Sequence, residues 1–164
     1  MYQASAPRFA HVLRNLSAVL DKAHAHAETK KLDATVPSGL RLITDMFPLA
    51  RQVQIACDTA KGAVARLAGV EIPKHEDTEQ TIPELKTRID KTLDFIGSIS
   101  AAKIDGSDER EVVMKMRGQD MKFQGAQYLL GHALPNFYFH VVTAYDILRA
   151  NGVELGKRDY IGTP

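Results

Sequence analysis

The chain has 164 residues, of which 45% are hydrophobic and 25% are charged, a composition that fits a globular protein and excludes a disordered or fibrous one. We therefore expect a single domain over residues 1–164. The 21 Lys and Arg residues nearly balance the 20 Asp and Glu residues, and no long run of like charge occurs, which argues against a nucleic-acid-binding protein. Because the sequence also has no long apolar run and no signal-peptide pattern, we expect a cytoplasmic protein without a membrane partner.

The first part of the chain predicts two long helices. Apolar residues recur at helical spacing over residues 6–29, and the breaker cluster at 37–39 predicts a connection after that helix. Pro48 fits the first turn of a second helix, and Asp45 lies just upstream of it as a candidate cap. Gly69 is the predicted end of this helix.

A third helix and a hairpin follow. Thr81, with Glu84 three residues later, matches the capping box that starts many helices. After this third helix the apolar period changes, and residues 111–116 and 121–123 predict two short strands joined by a turn at 117–120. A hairpin this small depends on other elements for stability, so we expect it to lean on the helices.

The last part of the chain predicts the fourth long helix. Because proline removes a backbone hydrogen bond, we expect a short helix or a kink before Pro135 and a long helix from Asn136 to Gly152. The tail at 153–164 is predicted to be irregular. Together these elements predict an all-α fold, a four-helix bundle with a small β-hairpin before the last helix and with at least one crossover connection.

Few polar residues offer chemistry. The sequence has no phosphate loop, dinucleotide-binding glycine pattern, Cys-x-x-Cys pair or His-Glu-x-x-His helix. His140 lies in the aromatic segment of the fourth helix, and Asn136, four residues earlier, shares its face. Gln52 is the polar residue nearest the apolar stripe of the second helix. A buried histidine satisfies its ring nitrogens with a carbonyl, a carboxylate or a metal, and the pattern leaves these alternatives open.

Three stretches resemble one family of bacterial proteins. They are LPNFYFHVVTAYDILRANGV at 134–153, DMFPLARQVQIA at 45–56 and MYQAS at 1–5. With them the chain resembles, over nearly its whole length, the uncharacterised DUF1993 family. That family looks like a member of the DinB-like superfamily of four-helix bundles, which includes damage-inducible proteins and metal-dependent thiol transferases.

This resemblance implies where a metal site would lie. In the better understood members of the superfamily, one histidine of the second helix and two histidines four residues apart on the fourth helix hold a divalent metal. On that pattern His140 takes the place of the later fourth-helix histidine, Asn136 that of its partner, and Gln52 that of the second-helix histidine. Because amide oxygens replace imidazole poorly at Zn or Ni, the resemblance implies a degraded site with His140 as the metal-binding candidate.

Two functions from different classes are compatible with these residues. The first is a binding or structural module that takes a small molecule or forms a homodimer, with Gln52, Asn136, Tyr138, His140 and Tyr145 as candidates for lining the pocket. The second is a metal-dependent thiol transferase or hydrolase that uses a divalent metal near His140. The missing second-helix histidine favours the first function, although the residues alone do not decide whether the chain is an enzyme.

Overall fold

The computed structural model describes residues 1–116 and 118–163. The four predicted long helices and the hairpin are confirmed, and Arg117 of the predicted turn and Pro164 of the tail lie outside the described residues. The helices are α1 (Ala6–Thr29), α2 (Val36–Gly39), α3 (Leu49–Ala68), α4 (Ile82–Ser98), α5 (Ala101–Ile104), α6 (Gly125–Tyr128), α7 (Leu134–Ala150) and α8 (Lys157–Ile161), and the strands are β1 (Glu111–Met116) and β2 (Gln119–Gln124). The strands pair antiparallel, with Val112 opposite Phe123.

The four long helices form a bundle with crossover connections, as predicted. Helix α3 packs closely against both α4 and α7, and α1 packs closely against α4. Helices α4 and α7 therefore lie diagonally opposite each other, and the connection that joins them through α5 and the hairpin crosses the bundle. Helices α1 and α7 make fewer contacts with each other and meet where the rings of Phe9 and Phe137 touch edge to face, 4.9 Å apart.

Helix α3 is the most buried of the four. Small residues cover much of its surface, so the neighbouring backbones approach it closely. Its buried small residues are Ala56, Cys57, Ala60, Gly62, Ala63, Ala65 and Ala68. Its ends follow simple rules: Gly69 takes the left-handed conformation with φ of 67°, as predicted. The prediction of Asp45 as a cap was wrong, because Pro48 directly precedes the helix and its extended backbone occupies the cap position.

The capping box of α4 is confirmed at its carboxylate. Glu84 accepts hydrogen bonds from the backbone N–H groups of Thr81 at 2.9 Å and Gln80 at 2.8 Å. These bonds hold the pKa of the Glu84 carboxyl below its ordinary value. The start of α4 is therefore fixed by its own sequence.

Pro135 does not divide the last helical segment. One π-helical turn, Leu129–Ala133, joins α6 to α7, and the N–H group of Leu134 bonds to the carbonyl of Leu129. Pro135 then lies in the first turn of α7, immediately after the π turn, which widens the helix where the proline ring would crowd the preceding turn. The short helix predicted before Pro135 is present as α6, and the π turn continues it into α7, so the whole segment from 125 to 150 is helical.

The tail also departs from the prediction of irregular structure, because α8 is helical. The acidic side chain of Asp159 accepts a hydrogen bond from the N–H group of Gly156 at 2.8 Å, which caps this short helix. None of the helices among residues 1–116 and 118–163 is long and apolar enough to cross a membrane.

The link between α3 and α4 is held by one buried cation, Arg88. Its side chain is only 1% exposed, and its guanidinium contacts Asp58 at 2.8 Å on α3. On the link it contacts Asp77 at 2.9 Å and Glu79 at 3.1 Å, as well as the carbonyl of Glu76 at 3.0 Å. Arg88 thus joins α4 to α3 and to the connecting segment.

Replacing Arg88 by Leu should lower the free energy of unfolding by about 2–3 kcal/mol, because three carboxylates lose their shared partner while two of them keep contact with water. Urea denaturation measures this change. The matched control is Lys86→Ala on the same helix, which removes an exposed pair with Asp21 and should cost less than about 1 kcal/mol. Equal losses of unfolding free energy in the two variants would show that Arg88 does not hold α4 to α3 and the connecting segment.

Candidate functional site

Gln52 and His140 lie side by side between α3 and α7. The Oε1 atom of Gln52 is 2.7 Å from the Nδ1 atom of His140. The Nε2 group of the same amide donates to the carbonyl of Phe47 at 3.1 Å, which fixes the amide with its oxygen toward the ring. Both side chains are buried, so each satisfies polar groups of the other that water does not reach.

This geometry determines the protonation of the ring. Because Gln52 presents an oxygen, Nδ1 of His140 carries the proton and donates, and Nε2 keeps its lone pair. Burial lowers the pKa of His140, and the positive charge of Arg51 lowers it further. His140 is therefore a neutral imidazole at pH 7, and none of the residues the structure describes hydrogen-bonds its Nε2 atom.

Asn136 lies one turn before His140 on the same side of α7 but has another partner. Its Nδ2 group donates to the hydroxyl of Thr59 on α3 at 2.9 Å. The two amides thus tie α7 to α3 at separate levels, Gln52 through His140 and Asn136 through Thr59.

These donors do not fit a tight transition-metal site. One imidazole nitrogen is open, while the amide of Gln52 and that of Asn136 are both engaged with protein partners. Within residues 1–116 and 118–163, no group of three or more His, Cys, Asp or Glu side chains is arranged to hold a metal ion.

Tyr138 and Tyr145, the other two candidates, lie on a different side of α7. Tyr138 lines a cleft between α1, α7 and α8, and Tyr145 contacts the ring of Tyr160 with centroids 6.3 Å apart. Two residues along a helix turn through about 200°, so Tyr138 and His140 point in nearly opposite directions. The five candidates therefore divide between two places.

The cleft between α1, α7 and α8 has a volume of about 320 Å³. Besides Tyr138 it is lined by Arg8, His11, Val12, Tyr160 and Ile161. The sequence did not indicate Arg8, His11 and Tyr160 as site residues. The tail was predicted to be irregular, and an irregular tail offers no wall opposite α1. The signal that was available is Asp159 three residues after Gly156, the spacing of an acidic helix start.

His140 should make stability depend on pH. Because its pKa is lowered in the folded state, the unfolded chain binds the proton more readily, and the stabilisation present above about pH 6.5 is lost as the pH falls through the lowered value. Urea denaturation at several pH values measures this loss, which should be smaller in His140→Gln. The pKa of His75 is also lowered, but His75 is present in both proteins, so the difference between them reports His140. Identical pH profiles would contradict the assignment.

Comparison with known proteins places the chain in a family. The profile of a domain of unknown function, DUF1993, matches residues 1–161. The crystal structure of a DinB family member protein from Shewanella denitrificans is 45% identical and superposes with a TM-score of 0.93, covering 99% of this chain and 92% of that one. No curated protein matches the sequence. The chain therefore belongs to the DUF1993 family, and it shares the four-helix bundle of a DinB family member.

Proposed function

We propose that the protein is a small-ligand-binding and self-associating module that works without a tightly bound transition metal. The observation that carries this proposal is the hydrogen bond between Gln52 and His140. These are two of the positions where a metal site would need free imidazoles, and here their side chains join α3 to α7 instead. The cleft beside Tyr138 supports the ligand-binding part, because its volume of about 320 Å³ lies in the range of small-molecule sites.

The alternative is the metal-dependent transferase or hydrolase. The open Nε2 atom of His140 supports it, since histidine ligands of metals are commonly oriented by a partner on the other nitrogen, as Gln52 orients His140. Against it, no group of three or more His, Cys, Asp or Glu side chains among the described residues is arranged to hold a metal ion. Metal content separates the two functions.

Protein purified without a histidine tag should contain Zn or Ni at well below one atom per chain, because a single imidazole holds these ions weakly. Elemental mass spectrometry of the wild type and of His140→Ala measures this. Metal near one atom per chain that disappears in His140→Ala would replace our proposal by the metal-dependent enzyme. The variant His24→Ala, which removes an exposed imidazole of α1, is the matched control.

The outer surface of α7 supports self-association. The 21 residues from Gly125 to Tyr145 include no Lys, Arg, Asp or Glu. The side chains of Leu130, Phe139 and Val142 on this segment are nevertheless 62%, 56% and 39% exposed. Large apolar side chains exposed together on an uncharged helical segment commonly mark an interaction surface, so this surface is expected to meet a partner.

A second copy of the chain fits this surface better than a membrane or an oppositely charged protein. An interfacial membrane helix relies on Lys and Arg, and a charged partner needs a complementary charge, but the stretch offers neither. Two identical uncharged surfaces pair about a two-fold axis without electrostatic cost. The side chain of Phe47, whose carbonyl bonds to Gln52 beside His140, is also 56% exposed.

Phe139→Glu should convert a dimer to a monomer, because it buries two like charges at the interface. Sedimentation velocity at tens of micromolar measures the change. Leu32→Glu is the matched control, since Leu32 is a similarly exposed apolar residue outside this stretch and its replacement should leave the dimer intact. A wild-type monomer, or a dimer that survives Phe139→Glu, would disprove self-association through α7.

A further inference from the structure

The cleft between α1, α7 and α8 contains polar groups that the fold does not use. Neither the hydroxyl of Tyr138 nor that of Tyr160 is hydrogen-bonded by any residue in 1–116 and 118–163, and in the same part of the chain Arg8 has no ion pair. Burial raises the pKa of both tyrosines. Both hydroxyls therefore remain protonated at neutral pH and are free to donate to a ligand.

The wall that α8 provides is fixed to α1 by several bonds. The imidazole Nε2 atom of His11 is 2.7 Å from the carbonyl oxygen of Ile161, and the Nδ2 group of Asn15 donates to the carbonyls of Tyr160 at 3.0 Å and Ile161 at 2.9 Å. Lys22 pairs with Asp159 at 2.8 Å. Because these groups span about three turns of α1, from His11 to Lys22, the tail is held against the bundle along its length.

Gly162 directly follows α8 and ends the wall that this helix forms. Its φ of 73° lies in the left-handed region, and a side chain there would come within 2.5 Å of the Asn15 amide. Only glycine allows both the turn and the close approach. The cleft is therefore specified by particular residues of the tail.

We propose that this cleft binds a small organic carboxylate, with the guanidinium of Arg8 on the carboxylate and the hydroxyls of Tyr138 and Tyr160 donating to it. Val12 and Ile161 supply the apolar surface for the body of the ligand. The proposal names the ligand class of the small-molecule function proposed above and rests on it. A guanidinium matches the planar carboxylate with two parallel hydrogen bonds.

The charges around the cleft favour a singly charged ligand over a phosphate. Arg8 is the one Lys or Arg among the six lining residues, and the Nε2 atom of His11 is already engaged with the carbonyl of Ile161. Lys22, which lies farther along α1 beside α8, pairs with Asp159 at 2.8 Å. A single cation balances the single charge of a carboxylate, whereas a phosphate at neutral pH carries up to two.

The test uses benzoate and its neutral isostere benzamide as probes of the full-length protein. Titrations followed by ¹⁵N-resolved NMR report both affinity and location, and benzoate should shift the backbone amides of 8–12 and 158–161. Arg8→Gln should weaken benzoate about tenfold or more, because it removes charge-assisted hydrogen bonds, and should leave benzamide unchanged. Arg14→Gln, an exposed arginine on another side of α1, is the matched control and should change neither.

Each other result has a definite meaning. Equal binding of benzoate and benzamide at these amides, or benzoate binding that survives Arg8→Gln, would overturn the carboxylate assignment and leave the small-ligand function standing. Failure of both probes to shift these amides would overturn the assignment together with the ligand-binding role of the cleft. Tyr138→Phe keeps the ring and removes only the hydroxyl, so weaker benzoate binding in this variant supports its role as a donor.

Discussion

The burial of α3 is the constraint from which the rest of the structure follows. Its small residues let α4 and α7 approach closely, so most of its residues are buried. The polar side chains buried on it must then find protein partners. Gln52 binds His140 and Phe47, Gln54 donates to Glu79 at 3.0 Å, and Lys61 pairs with Asp58 at 2.8 Å. The buried amide of Gln52 requires a hydrogen-bonding partner, and His140 is positioned to provide it.

Helix α7 meets a different environment on each of its three sides. His140 and Asn136 face α3, where their polar groups are paired within the bundle. Tyr138 faces the cleft, where its hydroxyl is open, and Phe139 faces outward. Consecutive residues of one uncharged segment therefore face the bundle, the cleft and the outer surface, because each step along a helix turns the side chain by about 100°.

The sequence was sufficient for the long helices and the hairpin, because apolar period and end signals such as Thr81 with Glu84 are local. It offered Gln52 and His140 as polar residues beside apolar stripes, but it did not predict that their side chains would bond to each other. It could not predict that Asn136 would bind Thr59, which depends on the level at which two antiparallel helices meet. The cleft was missed for a different reason: α8 is too short to show a period, and its position comes from side chains of α1.

The π-helical turn before Pro135 determines how this segment responds to a change in its length. It contains one residue more than an α-helical turn, so loss of a single codon in Leu129–Ala133 would restore a regular helix. The segment before it would then keep nearly its present orientation relative to α7, because the π turn already accommodates the extra residue, and Tyr128 would stay in the core. The π turn thus absorbs one residue that, in a regular helix, would turn the preceding segment by about 100° relative to α7.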